Sequence, residues 1–341
     1  MRIFVIGGTG FIGRWVVGQL ANQGHTLAVF HRGQTSADLH PTVTHILGDR
    51  QNLSALAANF GRFAPDVVLD MVPYTKEDAA LVVETFCSIA GRVVAISSMD
   101  VYQAYGRFCR VEYGPPDLQA FSEDAPLRST LYLYRTSAKH ASELAYNYEK
   151  VLVEQVVMGD AKVAGTVLRL PQVYGPGDPQ HRLFDLLKRM IDGRSFILLE
   201  EGRAQWRWTR GYVENVAAAI ALAVTDGRAA GRIYNVGEKE ALAELKWVQR
   251  IAQTVGWKGA VKVVPRAVLP KHLALPYDWN HHLAAETSRI RNELGYKEPI
   301  SADEALRRTI EWQRAHPPTS VNLAQFDYAA EDFVYAKQAG L

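Results

Sequence analysis

Near the amino terminus, Gly7-Gly8-Thr9-Gly10-Phe11-Ile12-Gly13 sets glycines at 7, 10 and 13 between an apolar run, Ile3 to Ile6, and a stretch of helical apolar spacing from Phe11 to Leu20. In that context the first glycine permits a sharp turn and the second lets the backbone approach a pyrophosphate. The third allows close helix-to-strand packing, and the helix amino terminus favours negative charge. The turn therefore points to a dinucleotide held by Gly7, Thr9, Gly10, Phe11, Ile12 and Gly13. Other groups able to do chemistry are Ser98 and Asp100 in Ser97-Ser98-Met99-Asp100, Gln172, and the arginines of Arg203-Ala204-Gln205-Trp206-Arg207-Trp208-Thr209-Arg210. That Trp/Arg interleaving is short and flanked by acids, so it reads as a substrate-pocket strand and not as a nucleic-acid stacking platform. His281-His282 has no partner at metal spacing and reads as a solvated loop pair. Cys87 and Cys109 form no C-x-x-C, so neither a disulfide framework nor a metal is expected.

The elements that must position these groups alternate. Strands are read at Thr26 to Phe30, His45 to Leu47, Asp66 to Leu69, Arg92 to Ser97 and Thr166 to Leu170, with helical stretches at Leu53 to Phe60 and Lys76 to Ala90 between them. This alternation predicts an α/β fold, a doubly wound parallel Rossmann-type sheet. A long loop is expected from Val101 to Pro126 over the carboxyl ends of the strands, then one long helix from about Ser137 to Gln155. Later segments mix helices (Glu214 to Val224, Leu245 to Val255, Ala302 to Arg314) with short strands such as Ile233 to Val236, and predict a smaller C-terminal α/β substrate lobe. The boundaries read as 1–175 for the dinucleotide-binding domain with some later segments returning to it, 176–316 for the lobe, and 317–341 for a tail that is either an ordered arm or a flexible end.

At 341 residues, 48 % hydrophobic and 22 % charged, the chain can bury a large core. Thirty-eight basic against 36 acidic side chains leave a net charge of +2, which gives no general electrostatic reason to expect nucleic acid or an anionic membrane as partner. The chain starts directly as a strand, without a leader's long apolar run, and no uncharged stretch approaches spanning length. A cytoplasmic protein with a small-molecule substrate is expected.

Together with the glycine turn, Ser97-Ser98-x-x-Val101-Tyr102 after the fifth strand and Leu168-Arg169-x-x-x-Val173-Tyr174-Gly175-Pro176-Gly177 after the sixth resemble the extended short-chain dehydrogenases/reductases, the NAD(P)-dependent epimerase/dehydratase family. The likeness runs to about Trp312 and takes in Tyr212-Val213-Glu214-Asn215-Val216 and Tyr234-Asn235-Val236-Gly237. It implies an oxidoreductase or epimerase acting on a hydroxyl or keto group of a sugar-like, nucleotide-linked or free substrate. The alternative is a catalytically silent dinucleotide-binding protein with a regulatory or RNA-binding role.

The resemblance also implies roles. Relatives use a tyrosine whose proton is loosened by a lysine four positions later on one helix face. Thr136-Ser137-Ala138-Lys139 with Glu143 resembles the lysine segment, making Tyr134, Lys139 and Ser98 the preferred catalytic set, although Tyr134 lies five positions before Lys139. Tyr146 and Lys150 have the family spacing but unlike residues between them, and stay open as the rival pair. Met99-Asp100 carries one carboxylate where dehydratases carry two, which disfavours dehydration. Asp100, Gln172, Arg207 and Arg210 are implied substrate contacts. Met71, Val72, Pro171 and Val173 are implied cofactor contacts, together with Asp49 and Arg50. At the end of the second strand, Phe30-His31-Arg32 lacks the acid that binds an unphosphorylated ribose, and Arg32 offers a cation for phosphate, so NADP is expected, with NAD as the alternative. Relatives commonly dimerise through the helices after strands four and five, and a homodimer is expected on that ground.

Overall fold

A computed structural model describes residues 1–35, 38–116 and 119–339. Strand β1 (Arg2–Ile6) leads into α1 (Gly13–Asn22), followed by β2 (Thr26–His31), β3 (Thr44–Leu47), α2 (Ala57–Phe63), β4 (Val67–Asp70), α3 (Lys76–Phe86) and β5 (Arg92–Ser98). Next come α4 (Gln103–Phe108), α5 (Leu144–Asn147), α6 (Lys150–Gly159), β6 (Ala164–Leu170) and β7 (Gln172–Tyr174). The remainder comprises α7 (Phe184–Ile191), β8 (Phe196–Glu200), α8 (Glu201–Gln205), β9 (Arg210–Tyr212), α9 (Val213–Thr225), β10 (Arg232–Asn235), α10 (Glu244–Val255) and β11 (Ala260–Val264), closing with α11 (Ser288–Leu294), α12 (Ala302–Ala315) and α13 (Tyr328–Ala339).

The main sheet has seven strands in the order β3-β2-β1-β4-β5-β6-β10, each pair parallel. Its central strands are near-continuous apolar runs because helices cover both faces. On one face Ile3, Val5, Leu69 and Ile96 pack with Val16, Val17 and Leu20 of α1 and with the alanine-rich α9. On the other, Phe4, Val68, Val93 and Ala95 pack with Val82 and Phe86 of α3 and Val153 and Val157 of α6. Strand order reverses between β1 and β4, and this opens the crevice at the carboxyl ends where such sheets bind ligands. Parallel pairs β8–β11 and β7–β9 build the smaller lobe, while β10 returns to the main sheet beside β6. No helix among the described residues is long and apolar enough to cross a membrane.

Four expectations change. No long helix runs from Ser137 to Gln155. Tyr132 is left-handed (φ 56°), only short helical turns occur at Arg135–Ser137 and in α5, and Tyr148 and Glu149 are extended before α6 begins. The cause is Glu149, whose carboxylate is drawn inward to Arg128 and to the amides of Tyr132 and Val151, so the chain cannot continue as a helix through it. The segment from Val101 to Pro126 carries α4, and residues 117 and 118 within it lie outside the described residues. The stretch from Leu53 onward opens with a short 3-10 turn, Ser54–Leu56, and its helix extends to Phe63. His281 is buried at 6 % exposure, because it turns under the aromatic cluster and its carbonyl accepts the indole N–H of Trp206.

The tail forms an ordered arm through Ala339. Tyr335 stacks on Phe196 of β8 with centroids 4.1 Å apart, and the fully buried Glu331 takes two N–H groups of Arg189. Residues 340 and 341 lie outside the described residues.

Candidate active site

Gly7 and Gly8 both adopt left-handed φ values, 88° and 93°, that a side chain would strain. A Cβ at Gly7 would meet Val72 and Met71 at 3.1 to 3.3 Å, so those two residues wall the turn from the β4 side. One at Gly13 would lie 2.6 Å from Gly8 Cα, which shows how tightly α1 sits on the turn. No side chain caps α1 and no acid occupies its first turn, so its amide end is left for an anion. Gly10 is exposed, and Thr9, Phe11 and Ile12 are half-buried around it. This cradle fits a pyrophosphate.

At the next strand end, Arg32 is exposed while His31 is half-buried and paired with His45, Nε2 to Nδ1 2.9 Å. His31 Nδ1 accepts the Gly33 amide, so His31 is the donor to His45. Burial and the neighbouring His45 lower the His31 pKa. The Asp49 carboxylate is spent on the Gln51 amide, capping a turn. Arg50 forks onto Asp70 at 2.8 and 2.5 Å, and Asp70, at 1 % exposure, also accepts the Val72 amide. Asp70 thus fixes the loop that walls Gly7. Sequence reasoning missed it, although an acid closing the apolar run Val67-Val68-Leu69 was a visible signal.

Beyond β5 a polar cluster is buried under the crevice. Asp100 Oδ2 accepts the hydroxyls of Tyr134 and Tyr148, each at 3.1 Å, and the Tyr134 and Tyr105 hydroxyls share a hydrogen bond at 3.1 Å. Ser98 Oγ accepts the Asp100 amide and bears on the Tyr148 hydroxyl. Lys150, fully buried, donates to the carbonyls of Pro73 (2.7 Å) and Ile96 (2.8 Å) and lies over the Tyr74 and Tyr148 rings. Burial pushes its pKa down to about 8, against the opposing pull of Asp70 and Asp100. Burial also raises Asp100, and burial followed by the neighbouring Asp100 raises Tyr134 and Tyr148 well above their usual value, so both hydroxyls carry protons at neutral pH.

The structure brings Ser98, Asp100 and Tyr134 together and leaves Lys139 apart, exposed on a loop with its amide on Glu143. Of the rival pair, Lys150 is in the cluster. Tyr146 is held elsewhere, its ring under the Arg135 guanidinium at 4.6 Å and its carbonyl accepting from Arg135 Nε. Tyr148 was missed, because residues two apart on a helix face different ways and only the break before α6 lets Tyr148 and Lys150 share a site.

On the lobe side, Pro171 packs against Gly211 and Gly237, Val173 is buried in the core, and Gln172 is half-buried on β7. Arg207 is exposed and donates to the Ala241 carbonyl. Arg210 is buried, ion-paired with Glu244 and stacked over Trp247, so its charge is spent inside the lobe. No group of three or more metal-ligating side chains occurs among the described residues.

The model of the NAD dependent epimerase/dehydratase family matches residues 3–237. The chain belongs to that family. It is thereby a nicotinamide-dinucleotide-dependent enzyme of the oxidoreductase/epimerase class. Among its relatives is the 3-diazoavenalumate denitrifying reductase of a Streptomyces species, 26 % identical over 87 % of this chain and 96 % of that protein. Another is the dTDP-glucose 4,6-dehydratase 1 of Escherichia coli, 23 % identical over 92 % of each. In fold it is similar to the UDP-glucose 4-epimerase of Thermotoga maritima (TM-score 0.68, 18 % identity, 92 % of this chain and 99 % of that one). A dTDP-glucose 4,6-dehydratase of Bacillus anthracis solved with NAD has the same TM-score, at 17 % identity over 93 % and 97 % of the two chains. These relatives are enzymes, which favours catalysis over a silent binding role.

Proposed function

We propose that this enzyme interconverts a carbonyl and a carbinol on a small sugar-like substrate with NADP(H), and that Tyr148, Ser98 and Lys150 carry the proton chemistry. The observation that carries the reading is Lys150, a buried ammonium held on the carbonyls of Pro73 and Ile96 and over the ring of Tyr148, whose hydroxyl is shared with Ser98 and Asp100. The bound nicotinamide supplies or takes the hydride. In the reductive direction Tyr148 gives its proton to the carbonyl oxygen as that oxygen becomes the carbinol, Ser98 hydrogen-bonds the same oxygen, and the charge of Lys150 lowers the cost of the tyrosinate left behind. Asp100 orients both tyrosine hydroxyls, and Tyr134 is the second donor in the same network. The exposed cation of Arg32 and the absence of an acid at His31 support NADP over NAD. Reductases and nucleotide-sugar enzymes among the relatives support the substrate class. For the homodimer, the helices in question are α3 and α6, side by side on one face of the sheet.

The test is Tyr148→Phe, assayed by NADPH oxidation against a panel of keto sugars and ketone glycosides. It should lower kcat by about 10²–10⁴-fold with NADPH affinity unchanged, the usual contribution of a general acid. If Tyr134→Phe abolishes turnover and Tyr148→Phe does not, the donor is Tyr134 and the assignment falls.

A further inference from the structure

Arg128 and Glu149, 0 % and 1 % exposed, form a bidentate pair at 2.8 and 2.6 Å beneath the tyrosine cluster. Each end has further duties. Arg128 donates from Nε to the Asp100 carbonyl at 2.8 Å and from a terminal nitrogen to the Thr130 carbonyl at 2.6 Å. Glu149 accepts the Tyr132 amide at 2.5 Å and the Val151 amide, capping α6 directly before Lys150. One buried ion pair thus ties together the backbone of Asp100, the loop leading to Tyr134, and the extended step that sets Tyr148 and Lys150. A neutral helix through this stretch would satisfy its backbone without burying two charges, whose desolvation is costly. The pair holds the chain away from helix instead: Tyr132 stays left-handed on Glu149, and Arg135 clamps the Tyr132 and Tyr146 rings at 3.9 and 4.6 Å.

We propose that Arg128 and Glu149 are positioning residues that set the reach of Tyr134 and Tyr148 onto one substrate oxygen and hold Lys150 against the Tyr148 ring. This rests on reading that cluster as the active centre. A misplacement of about 1 Å at such a centre costs on the order of a hundredfold. Lysine cannot replace Arg128, because a single ammonium cannot fork onto both carboxylate oxygens while reaching two carbonyls.

The experiment measures kcat, KM and NADPH affinity for Glu149→Gln, Arg128→Lys and Tyr132→Gly, with Lys150→Met as the control for the active centre. Glu149→Gln and Arg128→Lys should each lose about ten- to a hundredfold in kcat with KM and NADPH affinity within about threefold of wild type. They should also shift the pH–kcat profile, because the neighbours of Tyr148 and Lys150 move. Tyr132→Gly leaves the ion pair intact and relieves a left-handed backbone while removing the ring that Arg135 clamps, so it should stay folded and lose several-fold in kcat as the loop loosens. If the first two variants do not fold, unchanged kcat in Tyr132→Gly overturns the proposal, because the loop that the pair anchors would then not set the cluster. Wild-type kcat and pH profile in the folded variants, with only thermal stability changed, would overturn the proposal. Wild-type turnover in Lys150→Met would instead remove the active-centre reading beneath it.

Discussion

Replacing Lys150 by methionine separates its two consequences, one for turnover and one for stability. The side chain is fully buried, and its folded-state pKa lies at about 8 against 10.5 for an ordinary lysine. Below about pH 8 both folded and unfolded chains hold the proton, so the wild type carries the full cost of a desolvated ammonium. Between pH 8 and 10.5 the unfolded chain still holds it and the folded one does not. The unfolding free energy therefore rises by about 1.4 kcal/mol per pH unit, roughly 3 kcal/mol across the window. Methionine has nothing to titrate, so the wild type should gain about that much relative to Lys150→Met between pH 8 and 10.5. The absolute difference at pH 7 is a poorer guide, because the variant removes the desolvated charge and also leaves the Pro73 and Ile96 carbonyls without their donor, at roughly 1–3 kcal/mol each. Urea unfolding of both proteins at half-unit steps from pH 7 to 10.5 reads the quantity directly. A difference that stays flat across that range would refute the reasoning that Lys150 is a buried, charge-destabilised lysine. Turnover of Lys150→Met should be lost at every pH.

Two further outcomes follow from the cofactor half of the crevice. Arg32→Ala should weaken NADPH binding by about ten- to a hundredfold and leave NADH nearly unchanged, since a charge-assisted contact to phosphate contributes about 1.5–3 kcal/mol; equal wild-type affinity for the two in calorimetry would contradict the preference. Gly13→Ala places a methyl 2.6 Å from Gly8 Cα and 2.8 Å from its carbonyl carbon, so backbone must move; a loss of roughly 1–3 kcal/mol in unfolding free energy and at least a tenfold loss of dinucleotide affinity are expected, and unchanged binding by fluorescence titration would show that the turn is looser than its contacts indicate.

Much of this protein was written in short stretches of chain. The glycines at 7, 10 and 13 and the apolar runs that became β1, β2, β4, β5 and β6 act over a few residues, where spacing alone fixes which backbone conformations and which faces are available. They determined the parallel sheet, the dinucleotide cradle and the family likeness. The cluster of Asp100 with Tyr134 and Tyr148 was decided elsewhere. Tyr148 meets Asp100 across 48 positions, Tyr134 meets it across 34, and Arg128 meets Glu149 across 21. Local propensity favoured a helix through that region, and the family likeness of the Lys139 segment paired Tyr134 with Lys139. The helix failed because Glu149 is captured by a buried arginine that helical spacing cannot foresee. Arg50 and Arg210 tell the same story: as sequence they are cations free for a ligand, and only the fold sets Asp70 and Glu244 against them and spends their charge inside the protein. Backbone conformation answers to neighbours along the chain, whereas the partner of a charge is whatever the packed structure brings within hydrogen-bonding distance.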